Sequence, residues 1–272
     1  MSTTFKSSSP RRRSRNLRRA GTARAQSDTG QSGEQLSSVV SGRRIGARPD
    51  NSRYSAQTHP LSGLRVRRLT PEYLGRLTDL LTLAFYKDHG ARYFIFERGN
   101  RFRRQLRAWF AASWPMIEDA GMPVYGIVEG ERVLASALAI PPGMGFSRTQ
   151  IFGWILRVAW GSGLISAWRT LRNTWAVQRY LPRIPHYAIA LLAVHPGFHK
   201  RGLARMLLDE IHRRSEADPA SGGVLLQTEN PNNLRMYEHF GYERVRSVRT
   251  GPITIHLMFR PRTQERPSTN RR

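Results

Sequence analysis

Residues 187–242 limit the folds open to this chain more than any other stretch: YAIALLAVHPGFHKRGLARMLLDEI, a spacer, then GGVLLQTENPNNLRMYEHFGY. The segment Tyr187 to Val194 carries one polar side-chain atom, the Tyr187 hydroxyl, and a His195-Pro196-Gly197 turn closes it, so it reads as a buried strand. A loop follows, and then Leu203, Met206, Leu207 and Ile211 recur as one apolar face of a helix. Gly202 ends the loop and lets backbone amides come close to a ligand. Orphan amides at the helix start carry partial positive charge, and Lys200 and Arg201 add full charges beside them. Strand, basic glycine loop and helix start together suit a phosphate or diphosphate. On mechanics alone they equally describe a tight strand-to-helix turn with solvated cations.

The neighbouring residues add a resemblance. His199-Lys200-Arg201-Gly202-Leu203-Ala204 resembles the Q/R-x-x-G-x-G/A motif of the GNAT superfamily of acetyl-CoA-dependent N-acyltransferases. Val194 and Pro196 precede it at the family's spacing, and Asn230-Pro231 with Tyr237, Phe240, Gly241 and Tyr242 is similar to the family's second block. The likeness extends in outline over residues 64–262 and is strong from 187 to 242. Two departures stand out: His199 where Gln or Arg is usual, and Lys200 where glycine is frequent. The resemblance implies an α/β (α+β) fold with a mixed, mostly antiparallel twisted sheet of about seven strands flanked by helices.

Other features bound the chemistry. The chain has no cysteine, which excludes disulfides, thiolate nucleophiles and cysteine metal sites; an acyl group would pass directly from donor to acceptor unless another nucleophile served. The eight histidines are scattered, with no metal-ligand spacing, so no metal is expected. Basic residues number 44 against 19 acidic, and all but Lys6, Lys87 and Lys200 are arginine. That excess favours an anionic cofactor such as CoA and, equally, nonspecific contact with nucleic acid.

Residues 1–63 differ from the rest. Rich in Ser, Arg, Gly and Thr, they hold twelve basic and three acidic residues and no apolar period, so they are expected to form a disordered basic extension. The basic run 11–19 suits nucleic acid or an acidic surface, and an Arg/Ser-rich, acid-poor beginning also fits an organelle transit peptide. A tail without function, or an upstream stretch from a misplaced start, explains it as well. Otherwise a cytoplasmic protein is expected. Residues 64–262 are expected to form the acetyltransferase domain and residues 263–272 a polar tail.

Within the domain, residues 64–70 alternate as an edge strand; Thr70 is placed to cap a helix opened by Pro71, with Leu74, Leu77, Leu81 and Ala84 on its face. Residues 100–118 read as one helix with Phe102, Leu106, Trp109, Phe110 and Met116 inward. Residues 123–129 and 132–140 form a hairpin across Gly130-Glu131, and residues 243–249 and 253–260 a closing hairpin across Gly251-Pro252. Between them, residues 144–181 make a helical insertion carrying Trp154, Trp160, Trp168 and Trp175. Part of it, residues 151–168, is largely apolar, but it contains Arg157 and three glycines and barely reaches the ~20 apolar residues needed to span a bilayer. A lid near the acceptor cleft is the expectation, with its tryptophans lining the cleft or, by preference, filling the lid's core. No membrane insertion is expected.

An amine attacking a thioester must be neutral, the carbonyl oxygen needs stabilisation, and the departing thiolate should receive a proton. The resemblance assigns these tasks. Backbone amides at Leu192, Ala193 and Val194 would hold the pantetheine arm and thioester carbonyl. Those of Lys200, Arg201, Gly202, Leu203 and Ala204 would hold the diphosphate, with His199, Asn230 and Asn233 also on the cofactor side. Tyr237 falls on the family's general acid; otherwise it is a packing tyrosine. The base stays open among Glu229, His186, His195 and a water relay, while Gln227 stands where relatives often carry Glu. Glu229 is the candidate taken forward. The expected function is N-acetyl transfer from acetyl-CoA to a small-molecule amine, by a monomer or homodimer. The alternatives are a protein N-acetyltransferase of the same fold and a basic nucleic-acid-binding protein with a degenerate cofactor site.

Overall fold

The computed structural model describes residues 63–96 and 100–263. Apart from Gly63, the expected basic extension lies outside the described residues, as does the C-terminal tail beyond Thr263. The chain runs β1 (Val66–Arg68), α1 (Leu74–Ala84), α2 (His89–Phe94), α3 (Asn100–Ala111), α4 (Trp114–Asp119), β2 (Val124–Glu129) and β3 (Arg132–Ile140). It continues with α5 (Arg148–Ser162), α6 (Leu164–Gln178), β4 (Tyr187–Val194), α7 (Leu203–Ala217), β5 (Gly223–Thr228), α8 (Leu234–His239), β6 (Glu243–Thr250) and β7 (Ile253–Pro261). One seven-stranded sheet has the order β1-β2-β3-β4-β5-β7-β6. Only the β4–β5 pair is parallel, as a strand–helix–strand crossover through α7 requires.

The sheet divides the core into two clusters. Leu203, Leu207, Leu208 and Ile211 of α7 join Ala137 and Ala139 of β3 in one; Leu77, Leu81, Phe102 and Phe110 of α1 and α3 join Leu138 in the other. Adjacent β3 residues thus point to opposite faces, which is why β3 reads as a continuous apolar run rather than an alternating one. Leu207 is fully buried, and truncating it to alanine would cost about 2–5 kcal/mol.

Three local expectations are corrected. Thr70 does not cap through its side chain; its hydroxyl donates to Glu72 instead, and a 3-10 turn, Pro71–Tyr73, leads into α1. The single helix expected over residues 100–118 is two, α3 and α4, broken at Ala112-Ser113. Pro115 accounts for the break, since it lacks an N–H and its ring clashes with the carbonyl four residues back; at the second position of a new helix neither matters. The insertion does form two helices, joined at Gly163 with φ +93°, but three of its tryptophans do not fill a core. Trp160, Trp168 and Trp175 are exposed. No helix among the described residues is long and apolar enough to cross a membrane.

Candidate active site

The site begins with an irregularity in β4. Against β3, Leu138 faces Leu191 while Ala139 faces Ile189, so Ala190 is an extra, bulged residue. The bulge resets the alternation, and Leu192 and Val194 then pack in the same cluster as Tyr187 and Ile189. Pairing with β5 stops at the same place, at Ile189 opposite Leu226. Beyond it the two parallel strands splay. The His195 amide donates to Leu134 O, so alternation turns the Ala193 amide toward β3 and those of Leu192 and Val194 into the splay. Of the three residues expected to offer amides there, Ala193 spends its own in the sheet. The Val194 carbonyl lies on the splay side, 3.1 Å from His199 Nε2.

A short 3-10 turn, Pro196–Phe198, leads from β4 into the loop. Lys200 has φ +60° and Gly202 φ +81°. These two left-handed residues turn the chain sharply into α7, whose first amides lie outside the helix's own hydrogen-bond ladder. Lys200 adopts the left-handed region at a cost a glycine would not incur, about 1 kcal/mol, which gives a physical reason for glycine at this position. A β-carbon on Gly202 would meet nothing within 4 Å, so that side of the loop is open to a ligand. Leu203 is buried, leaving its amide alone available, while Arg201 stacks on Phe198 at 5.1 Å beside the loop.

From the splay a cavity of about 460 Å³ reaches under α5 and α6. Its walls include Phe94, Trp109, Phe110, Phe146 and Trp154; Phe94 and Trp109 stack at 6.3 Å. Gln227, Glu229, Asn233 and Tyr237 line it from the β5 side, Asp88 from the start of α2, and Asn173 from α6. Tyr237 is buried, and burial, reinforced by the nearby Glu229 charge, pushes its phenol up to about 12. Glu229 is raised above the usual carboxylate range, by desolvation first and by Asp88 second. A β-carbon at Gly90 would lie 3.1 Å from Asp88 Oδ1 and 3.2 Å from the Glu229 carboxyl carbon, so the two carboxylates flank this glycine. Asp88 also caps α2 by accepting from the Ala91 amide. Asn173 Oδ1 is buried without a hydrogen-bond partner among the described residues.

Residues 160–244 match the family model for the acetyltransferase (GNAT) domain. That stretch, about a third of the chain, is similar to a GNAT acetyltransferase domain. No curated protein matches the chain. Among solved structures, it is similar to a histone acetyltransferase HPA2 and related acetyltransferase from Corynebacterium glutamicum, with 16% identity, a TM-score of 0.57, and 74% of this chain and 97% of that one covered. It is also similar to the C-terminal condensation domain of Ebony in complex with beta-alanyl-dopamine, at 12% identity and TM-score 0.51, covering 73% and 98% respectively. Both likenesses concern the fold.

The expected site residues separate by geometry. Glu229 and Tyr237 meet at the cavity, and His199 to Ala204 form the loop and first turn at α7. Asn233 lines the cavity, whereas Asn230 uses its side chain to accept from the Asn232 amide, closing the turn before α8. Of the other candidates for the base, His186 lies 2.7 Å from Ile184 O at the opposite end of β4, and His195 accepts from the Gly197 amide within its own turn. Asp88, Asn173 and the bulge at Ala190 were not anticipated. Asp88 reads in sequence as a helix cap, and its approach to Glu229 depends on long-range packing.

Proposed function

We propose that this domain transfers an acetyl group from acetyl-CoA to the primary amine of a small molecule with an apolar or aromatic body. What carries the proposal is the continuity of the splay with the cavity: Leu192, whose amide turns into the splay, lines the same space as Glu229 and Tyr237. Amides of the Lys200–Ala204 segment, with the Lys200 and Arg201 charges, would bind the diphosphate, and the β4 amides would take the pantetheine arm and the thioester oxygen.

An acceptor enters as an ammonium ion. Asp88, Glu229 and the orphan Oδ1 of Asn173 offer it acceptors, and the aromatic walls cover the rest of the molecule. Glu229 is a stronger base than an ordinary carboxylate because burial and Asp88 disfavour its charged form. Glu229 first takes a proton from the ammonium ion, which frees the nitrogen lone pair, and passes it to solvent; as the neutral nitrogen then bonds to the thioester carbon, Glu229 takes its second proton. As the carbon–sulfur bond breaks, Tyr237 gives its proton to the departing thiolate. With its phenol near 12, Tyr237 is fully protonated at neutral pH, as a donor must be.

A cavity of about 460 Å³ suits a small acceptor better than a folded protein or a nucleic-acid strand. The test is release of free CoA thiol against an amine panel. Primary amines with apolar or aromatic bodies should be turned over, and lysine peptides and polycationic amines should be poor acceptors. Thiol release with peptides alone would move the reading to a protein acetyltransferase, and no release with any acceptor would refute it.

A further inference from the structure

The insertion does more than wall the cavity. On α5, Phe152, Leu156 and Trp160 recur every four residues and share one helix face; on α6, Leu164, Trp168 and Trp175, four and seven residues apart, share another; all six are exposed. Trp160 is 95% exposed and Leu164 79%, flanking the Gly163 turn, so the hairpin tip projects into solvent rather than forming a groove. Large apolar side chains exposed along both helices mark an interaction surface.

The charges choose among partners. From Arg132 to Leu208 the chain contains no Asp or Glu, α5 and α6 carry Arg148, Arg157, Arg169 and Arg172, and Arg179 follows α6 directly. Arg148, Arg157 and Arg179 are exposed, and Arg172 stacks on Trp168 at 4.5 Å. Two copies meeting through this face would oppose like charges. An anionic lipid surface complements them, and tryptophan with arginine is the composition that settles at the boundary between headgroups and acyl chains.

We propose that the α5–α6 hairpin docks the protein peripherally on anionic membranes, its tip tryptophan and leucine entering the headgroup region without spanning the bilayer. This is independent of the acetyl-transfer reading. It has a consequence for access, because Ile151 and Trp154 of the same α5 line the cavity, and docking holds that wall against the lipid.

The experiment is flotation of the full chain with vesicles of phosphatidylcholine alone or mixed with phosphatidylglycerol, with tryptophan quenching by brominated acyl chains. The protein should float with the anionic vesicles, release as salt rises, and show quenching. The double variant Trp160→Glu/Leu164→Glu should bind about tenfold more weakly or worse, at an unchanged melting temperature, because both side chains are exposed and leave no cavity. Because the variant keeps residues 1–63, undiminished flotation would place the binding on that basic segment and overturn the proposal. So would failure of the wild type to float. A wild-type dimer that the double variant dissociates, without vesicle binding, would assign the face to a second copy of the chain instead.

Discussion

Replacing Tyr237 by Phe removes one oxygen from the cavity wall and leaves the ring packed against Tyr242, 5.8 Å away in an edge-on arrangement. Because the phenol sits near 12, at pH 8 only about one molecule in ten thousand is ionised, so the wild type offers a proton throughout the working range. Loss of a general acid costs about ten- to a thousandfold in turnover, or roughly 1.4–4 kcal/mol of transition-state stabilisation. Affinity for acetyl-CoA should hold, since its proposed contacts are backbone amides, and stability should change little. The assay is thiol release under saturating acetyl-CoA, repeated with an acyl donor whose leaving thiol is more acidic. The defect should shrink with that donor, because a stabilised thiolate needs less protonation. Wild-type turnover in the variant, or one loss common to every donor, would refute the role and return Tyr237 to packing.

Glu229→Gln should lower turnover by about a hundredfold or more and remove the acidic limb of the rate profile, which in the wild type should lie above the ordinary carboxylate range. Since burial and Asp88 raise this group, its stabilising contribution is complete below the unfolded value and is lost as pH rises through the folded one; the variant should therefore melt higher at neutral pH, an advantage that vanishes in acid, as calorimetry would show. Lys200→Gly should raise the melting temperature by roughly 1–4 °C through relief of the positive φ, while weakening acetyl-CoA binding a few-fold through the lost charge. His212, buried with Nε2 2.8 Å from the Tyr242 hydroxyl, is pushed down to about 4 by burial and then by Arg260, so the stability it confers is complete above about 6.5 and lost between there and 4. In His212→Gln the fall in melting temperature over that interval should be smaller.

The strand, loop and helix around Gly202 were legible because a long apolar run, a glycine at a required left-handed turn and a helical period each leave a mark in sequence. Tyr237 drew notice through the resemblance of its block to the GNAT pattern, and Glu229 through its place just past β5. The bulge was not, because Ala190 is an ordinary small apolar residue and only the register against β3 reveals the extra position. Asp88 was hidden behind its capping role, and Asn173 lies in an insertion whose placement on the sheet is a matter of tertiary packing. Helices α5 and α6 are apolar around much of their circumference, a pattern that in a soluble protein reads as burial. The exposure of Trp160 shows instead that part of that circumference lacks a partner within the described residues.

Calorimetric titration of acetyl-CoA into the full chain and into Gly202→Asp tests the central claim most directly. A β-carbon at Gly202 would point into open space, and aspartate tolerates the left-handed region better than most residues, so the variant should fold. Its carboxylate would stand at the proposed diphosphate site. Acetyl-CoA should bind the wild type and bind the variant at least about tenfold more weakly, with the melting temperature little changed. Equal affinity in the two proteins would contradict the assignment of this loop to the diphosphate.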